Sequence, residues 1–328
     1  MPMRANMNGT LEVKSPLPLK GIGAIGRFWI KLQSAGLLKA TGLTREPVRV
    51  DACQILGAFQ GRPLFRVTMS CNGVTAGASS TVSASEALQK AFSELCEIFE
   101  LSSPEYVLGQ TRSGFAAHES EKRAREYAYR ELIERDSLIT HFLCPQVRAT
   151  PLSRPDYASL PARLAELWSA DPTIHVVMAG LQDSPDEPWF LGAGAAQNLE
   201  AATEKAYVEC VSTYCSFRHA DDLNHPIGPR QREILRHIRA SKDEPMKNHL
   251  RSVFSGEGEL IPDFTTSIAQ ANFRTLARRA GGFTVVSASH DLLCPLTLGE
   301  VWDGSEQSII KTLRGRRLDP VWLRHPFA

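Results

Sequence analysis

The sequence lacks the patterns that mark disulfide-rich, zinc-binding and membrane-spanning proteins. Its seven cysteines are scattered and form no C-x-x-C pair, and an odd, scattered set is a poor disulfide framework and a poor zinc site. It has no run of about 18 apolar residues and no apolar signal segment at the N-terminus. We therefore expect a cytoplasmic protein with reduced cysteines and no membrane as a partner.

The sequence also has little net charge. Its 37 basic and 36 acidic side chains give a formal net charge of +1, so no field of one sign favours nucleic acid as a partner. The glycine-rich residues 20–26 do not form a Walker A loop, because their lysine precedes the glycines, whereas that motif places it after them. A flexible loop is the better interpretation there. Phosphate chemistry, if present, must therefore be local.

Two glutamates occur on the stripe that a helix over residues 124–135 would turn toward a core. At about 100° per residue, Ala124, Ala128, Glu131 and Arg135 fall within roughly 60° of one another, with Glu134 just to one side. A charge on such a face is costly unless it is paired, and glutamates at i and i+3 also repel. A bound cation, or Arg135 one turn after Glu131, would relieve both costs.

The same template, Ala-x3-Ala-x2-Glu, occurs at two other places. It comprises Ala87, Ala91, Glu94 and Glu97 upstream, and Ala202, Ala206 and Glu209 downstream, where Ser212 stands in place of a second glutamate. The first glutamates of the three copies are 37 and then 78 residues apart, and such uneven spacing argues against a stacked solenoid. We expect three equivalent helices that are separated in sequence and gathered in space.

Each of these helices follows a strand-like run and a stretch of small residues. The small stretches cover residues 72–80, 113–117 and 192–196, and the second strand-like run covers residues 107–111. Ser83, Ser120 and Asn198 are the predicted N-caps. We interpret each unit as strand, loop and helix, which predicts a mixed fold of the α/β (α+β) class.

The remaining elements are predicted from periodicity and turn residues. They are a short helix at 28–38, two strands between 48 and 69 joined by a turn at 61–63, a helix ending near Leu167 followed by a strand at 174–179 as an α/β crossover, a mobile surface segment at 241–263, a helix at 273–280 and a strand at 283–288. No linker clearly divides the chain into domains.

The repeated carboxylates point to a hard cation. Mg²⁺ uses one or two carboxylates together with substrate phosphates rather than a full protein cage. The candidate metal ligands are Glu94, Glu97, Glu131, Glu134 and Glu209. The candidate phosphate-binding groups are Arg135 and Lys205. The alternative is that each glutamate pairs only with a neighbouring base on a solvated face, but one stripe shared by three helices favours the cation.

Several stretches together resemble the YcaO family over about residues 65–328. They are RELIERDSLITHFL preceded by TRSGFAAHES, SELCEIFEL after CNGVTAGAS, GAGAAQNLEAATEKAYVE, and the closing HPFA. In that family the repeated glutamates bind ATP through Mg²⁺ and the enzyme activates a peptide backbone amide. The resemblance implies ATP and Mg²⁺ as cofactors and a YcaO-like ATP-binding catalytic domain over residues 46–328, after a poorly defined segment at 1–45.

Position by position, the resemblance assigns three groups of ligands. Glu94 and Glu97 correspond to the first metal-binding pair. The second cluster corresponds to Glu131, Glu134 and Arg135, and the third to Lys205 and Glu209. The resemblance also implies that the terminal carboxylate, here that of Ala328, acts in catalysis.

The implied reaction is an ATP-dependent cyclodehydration of a ribosomally made peptide. A Cys, Ser or Thr side chain attacks the preceding carbonyl, the oxyanion takes the γ-phosphoryl group, and elimination of phosphate leaves an azoline. The expected partners are a precursor peptide and a separate leader-peptide-binding protein, because the N-terminus is too short for that domain; a homodimer is left open.

Two positions depart from the family pattern. Ile98 stands where the first cluster often has Arg, and Ser212 stands where Gln is common in the third. These departures bear on nucleotide affinity and keep a non-catalytic scaffold, which binds a partner enzyme or a precursor peptide, open as an alternative. Thioamide formation with sulfide as the nucleophile is another alternative, as is a housekeeping modification of a ribosomal protein.

Overall fold

The computed structural model describes residues 11–13, 49–59, 62–71, 74–101, 114–155, 160–217, 235, 238–278, 283–294, 305–318 and 320. The predicted helix at 28–38, the strand-like run at 107–111 and the terminal residue Ala328 lie outside the described residues. By its internal contacts the chain divides into two units. The first comprises Met1–Gln110, Phe115–Ala128 and Phe273–Ala288, and the second comprises Thr111–Gly114, Tyr129–Asn272 and Ser289–Ala328.

An antiparallel sheet forms part of the first unit. Its strands, in spatial order, are β1 (Leu11–Val13), β2 (Arg49–Phe59), β3 (Arg62–Cys71) and β4 (Val74–Ser80). The two strands predicted between residues 48 and 69 are therefore confirmed. The loop predicted at 72–80 is wrong, because its residues Val74–Ser80 form strand β4 and pair with β3.

Helix α1 (Ala84–Leu101) covers this sheet. Its first turn is capped as predicted, since the backbone N–H of Glu86 donates to Ser83 Oγ at 3.1 Å. It packs against β3, β4 and β5 (Phe115–His118). The buried core between these elements contains Val67, Met69, Ala76, Ala87, Leu88, Ala91, Phe92, Leu95, Cys96, Ala117, Phe283 and Val285. The alanines of the first template thus face the core.

A second sheet of the first unit has the strand order β10 (Asn272–Arg278), β11 (Thr284–Ser289) and β5. The strand predicted at 283–288 is confirmed as β11. The helix predicted at 273–280 is wrong, and the small stretch at 113–117 is largely strand instead of loop. Sheet pairing decides both: β11 pairs antiparallel with β5, and β10 lies along its other side.

Helix α2 (Glu121–Leu143) confirms the helix predicted at 124–135. The backbone N–H of Arg123 lies 3.5 Å from Ser120 Oγ, so the predicted cap is present but long. Ala124 and Ala128 are fully buried, as are most residues of the last two turns. The chain enters α2 in the first unit, and the helix residues from Tyr129 onward belong to the second.

The second unit contains an antiparallel sheet of four described strands. Their spatial order is β6 (Thr150–Leu152), β7 (Arg163–Leu167), β8 (His175–Leu181) and β9 (Phe190–Ala196). Helix α3 (Leu199–Phe217) packs against β8 and β9, and helix α4 (Glu244–Ser255) packs against β6 and β7. A 3-10 helix (Ile268–Gln270) and helix α5 (Ser305–Gly315) follow.

Two predictions for the second unit are wrong. The residues before Leu167 form strand β7 rather than a helix, so an antiparallel hairpin replaces the predicted α/β crossover. Short apolar runs fit both periods, and here pairing with β8 supplies the backbone hydrogen bonds. The segment at 241–263, predicted to be mobile, contains α4, whose Met246, Leu250 and Val253 are buried.

Small residues in β9 allow α3 to approach closely. A Cβ at Gly194 would lie 2.5 Å from the carbonyl oxygen of Ala202 and 2.6 Å from the backbone N of Ala206. The alanines of the third template therefore meet a glycine-containing strand almost backbone to backbone. The loop predicted at 192–196 is therefore wrong: it is part of strand β9, which pairs with β8. Its small side chains leave room for α3.

Buried cysteines behave as small apolar residues. Cys96, Cys144, Cys210 and Cys294 are buried as reduced thiols, whereas Cys215 is a reduced thiol that is exposed. None of the described helices is long and apolar enough to cross a membrane.

Candidate functional site

The charged group on α2 lies at the margin of its buried stripe. Arg135 Nε is 3.7 Å from Glu131 Oε1, and Arg135 Nη1 is 3.7 Å from Glu134 Oε1. The side chains of Glu131, Glu134 and Arg135 are 27%, 14% and 23% exposed, respectively. The sequence placed these groups on a face that is buried or nearly so, and the structure leaves each of the three side chains partly exposed to solvent.

Three carboxylates act on the Arg135 guanidinium. Burial alone would lower its pKa, but the negative charges of Glu134, Glu131 and Glu209 raise the pKa above its ordinary value. Glu209 belongs to α3, so the charge of one residue of the third predicted cluster acts on Arg135 of the second within the second unit. In such an arrangement the carboxylates can bind a divalent cation, and the guanidinium can bind phosphate oxygens.

Lys205 and Glu209 lie one turn apart on α3 and both contact strand β9. Glu209 Oε2 accepts a hydrogen bond from the backbone N–H of Ala193 at 3.0 Å. Lys205 Nζ donates to the carbonyl oxygen of Ala195 at 3.0 Å. Both side chains are exposed along the helix. The helix begins where predicted, because Asn198 Oδ1 accepts from the N–H groups of Glu200 and Ala201 at 2.8 and 3.2 Å.

The first predicted pair, Glu94 and Glu97, lies on α1 in the first unit, and both side chains are partly buried. Glu97 Oε1 accepts a hydrogen bond from the backbone N–H of Ala117 in β5 at 2.8 Å. This contact repeats the one between Glu209 and Ala193. In both cases one carboxylate oxygen is oriented by a strand amide, which is how a neighbouring group fixes a metal-ligating carboxylate.

The two departures from the family pattern occupy apolar or buried places. Ile98 packs against the core of the first unit, so its side chain contributes apolar contact where the family often has Arg. Ser212 is 6% exposed, and its carbonyl oxygen accepts from Ser216 Oγ at 2.7 Å.

The donor set suits Mg²⁺ only in combination with a ligand. Within the described ranges, no three or more His, Cys, Asp and Glu side chains are grouped so as to hold a metal ion. Pairs of carboxylates are present on α1 and on α2, and Mg²⁺ is usually held by one or two carboxylates plus phosphate oxygens. The residues therefore fit an ion that arrives with, or is completed by, a nucleotide.

Sequence reasoning missed Asp136 and the strand amides. Asp136 is fully buried and pairs with Arg316, which is 180 residues away in sequence, so no local spacing could reveal the partner. The amides of Ala117 and Ala193 lie in the small-residue stretches that were interpreted as loops. Recognising those stretches as strands packed on alanine-rich helices would have revealed the amides.

The sequence of this chain matches a family model over more than half of its length. Residues 99–281, more than half of the chain, match the model described as YcaO cyclodehydratase, ATP- and Mg²⁺-binding. The chain belongs to the YcaO family. ATP and Mg²⁺ are the cofactors of that family, and membership supports an ATP-dependent enzyme. The match includes the clusters on α2 and α3, whereas Glu94 and Glu97 precede it.

Solved structures show the same fold. YcaO from Methanopyrus kandleri, bound with AMPPCP and Mg²⁺, is 13% identical, with 80% of this chain and 89% of that chain covered and a TM-score of 0.52. The E. coli microcin synthetase McbBCD complex contains a chain that is 12% identical, with 74% and 88% covered and a TM-score of 0.52. No curated protein matches. At these identities the structures confirm the YcaO-like fold of mixed helices and sheets.

Proposed function

We propose that this YcaO protein uses ATP and Mg²⁺ to activate a peptide backbone amide by O-phosphorylation, and that the product is an azoline formed from Cys, Ser or Thr. The observation that carries the proposal is the pairing of Arg135 with Glu131 and Glu134, beside which the charge of Glu209 also acts on the guanidinium. The family description supports ATP and Mg²⁺ as the cofactors. We also propose that the substrate is a precursor peptide and that a separate partner protein binds its leader.

The residues have distinct roles in this proposal. The candidate carboxylates are Glu131, Glu134 and Glu209 in the second unit and Glu94 and Glu97 in the first, and one or two of them, completed by phosphate oxygens, would hold each Mg²⁺. Arg135 and Lys205 would hold phosphate oxygens and offset their charge. Bound ATP supplies the γ-phosphoryl group that makes the amide oxygen a good leaving group. The chain's own contribution is positioning and charge stabilisation, as in other phosphoryl transfers.

The strand amides give two carboxylates a defined orientation. The N–H of Ala193 engages one oxygen of Glu209, and the N–H of Ala117 engages one oxygen of Glu97. A neutral amide donor holds the carboxylate without cancelling its charge, so the side chain keeps its attraction for a cation. These contacts would reduce the reorganisation needed when Mg²⁺ and phosphate bind.

The product distinguishes the candidate reactions. Incubation of the precursor peptide with the protein, ATP, Mg²⁺ and the neighbouring gene products should lower the peptide mass by about 18 Da per azoline, whereas thioamide formation would add about 16 Da. Glu134→Gln should abolish either change, and Glu121→Gln, on the same helix but in an exposed i,i+4 pair with Arg125, should not. An unmodified peptide under these conditions would contradict catalysis.

A nucleotide-free scaffold is the second candidate, and the packing of Ile98 against the core is the observation that favours it. This chain therefore lacks the Arg that the family often has beside the first pair of glutamates. The scaffold predicts that the protein binds the peptide or a partner enzyme with equal affinity with and without ATP and Mg²⁺. The enzyme predicts that ATP is consumed in proportion to the peptide modified.

A further inference from the structure

A buried ion pair joins Asp136 of α2 to Arg316, the residue that follows α5. The two side chains are 0% and 3% exposed, respectively. Asp136 comes directly after Arg135, and at about 100° per residue its side chain leaves the helix roughly 140° from Glu131 and 160° from Glu134. The pair therefore lies on the side of α2 that faces away from the candidate ligands, and it is too buried to bind a substrate itself.

The geometry of the pair fixes both partners. Arg316 Nη2 donates to Asp136 Oδ1 at 2.8 Å and Nη1 donates to Oδ2 at 3.0 Å. The backbone N–H of Cys294 also donates to Oδ1, at 2.6 Å. Burial raises the pKa of the Asp136 carboxyl, and the charge of Arg316 opposes that rise. Three donors on two oxygens are the complement of a carboxylate, so the pair is charged on both sides.

Arg316 connects α2 to several distant segments. It donates to the carbonyl oxygen of Leu292 and lies 3.4 Å from Thr140 Oγ1, one turn after Asp136. Its guanidinium carbon is 4.6 Å from the ring centroid of Phe264 and 5.9 Å from that of Trp168. Because one planar group contacts all of these segments, rotation of α2 about its axis would break several contacts at once.

We propose that the Asp136–Arg316 pair is a positioning device for the candidate nucleotide site: it fixes the rotation of α2 and thereby the direction of Glu131, Glu134 and Arg135. This inference rests on the proposed function, since direction matters only if those groups bind ATP and Mg²⁺. Neither Asp136 nor Arg316 contacts the ligand. The pair acts through the helix, and its loss would weaken binding by misplacing the neighbouring side chains.

The test uses a variant that removes both charges together. Replacing only one partner leaves a buried unpaired charge, whereas Asp136→Leu/Arg316→Met replaces the pair with apolar groups, an exchange that often leaves stability unchanged. We expect this double variant to fold with a lower Tm than the wild type, because the buried N–H of Cys294 loses its acceptor, and to bind ATP–Mg²⁺ at least about 10-fold more weakly. Arg316→Lys keeps the charge but loses the fork, and should weaken binding by about 3-fold.

Ile139→Val is the matched control. Ile139 is buried on the same helix and takes no part in the hydrogen bonds of the pair, so its truncation lowers stability and leaves both charges in place. A merely structural role for the pair predicts that the nucleotide Kd is unchanged in every folded variant. If the wild type binds ATP–Mg²⁺ and both the double variant and Arg316→Lys bind it with the same Kd, the positioning role is overturned and the proposed function is not affected. If the double variant fails to fold, Arg316→Lys compared with Ile139→Val decides in the same way. Absence of ATP–Mg²⁺ binding by the wild type would overturn the proposed function itself.

Discussion

Single residues in this chain could be predicted where their partners are local. Glu131 and Arg135 are one helical turn apart, and the structure pairs them as the spacing indicates. Asp136 is the opposite case. Read on its own it is a charged residue beside a charged cluster, and only the fold brings Arg316 and the N–H of Cys294 to it. Buried ion pairs between distant segments leave no periodic trace in a sequence.

The histidines of the second unit give a residue-scale prediction of acid sensitivity. His249 is buried against the ring of Phe142, and burial together with the neighbouring His141 lowers its pKa to about 4. Its ordinary value in an unfolded chain is about 6.5. The folded state therefore disfavours the protonated ring, so stability is fully present above about pH 6.5 and is lost as the pH falls toward about 4.

We expect the free energy of unfolding to fall by up to about 3 kcal/mol across this window through His249. Burial also lowers the pKa of His141, which adds to the effect in the same direction. Urea unfolding at several pH values should show a shallower dependence for His249→Gln than for the wild type. Identical slopes for the two proteins would contradict the assignment.

Helices in this chain were predictable from caps and periodicity, but several strands were not. Ser83 and Asn198 mark helix starts that the structure confirms through short hydrogen bonds. Strand β7 carries an apolar pattern that fits either period, and its partner β8 decides the outcome. The small-residue stretch of β9 resembles a loop in sequence. Glycine and alanine occur both in loops and where a strand packs closely against a helix, so their presence alone does not distinguish the two.

The close contact between β9 and α3 predicts that Gly194→Ala is destabilising. The added Cβ would lie 2.5–2.6 Å from backbone atoms of α3, which cannot rotate out of the way as a side chain can. We expect a loss of about 1–3 kcal/mol or more in the free energy of unfolding, measured by urea titration. Because the displaced helix carries Lys205 and Glu209, ATP–Mg²⁺ affinity should fall as well.

Gly315→Ala is the control for this substitution. A Cβ at Gly315, the last residue of α5, meets nothing within 4 Å. It should be neutral or stabilising by up to about 1 kcal/mol, since alanine is the better helix former. Equal destabilisation by the two substitutions would show that the contact between β9 and α3 is not the cause.

The N-caps of α2 and α3 differ in geometry and should differ in energy. Asn198 accepts two backbone N–H groups, at 2.8 and 3.2 Å, whereas Ser120 Oγ is 3.5 Å from its donor. We expect Asn198→Ala to cost about 1 kcal/mol in the free energy of unfolding and Ser120→Ala clearly less. Thermal or urea unfolding of the two variants, measured together, would contradict this if the order were reversed.

At the scale of the whole molecule, the resemblance to the YcaO family predicted more of the fold than hydrophobic periodicity did. The stretch RELIERDSLITHFL lies within the family match and forms most of α2, so the helix that carries Glu131 and Glu134 could be placed from the sequence alone. The packing of Ile98 and the direction of Lys205 toward β9 could not, because both depend on which strands lie beneath the helices.

The proposed function requires that the carboxylates around Arg135 bind ATP through Mg²⁺. Calorimetric titration of the whole chain with ATP, with and without Mg²⁺, measures this binding. Wild-type protein and Glu121→Gln should bind in a Mg²⁺-dependent manner with the same Kd, whereas Glu131→Gln and Glu134→Gln should each bind about 10-fold or more weakly, a difference of about 1.4 kcal/mol or more. Binding that is independent of Mg²⁺, or equal affinity in all four proteins, would show that Glu131 and Glu134 do not bind the nucleotide through Mg²⁺.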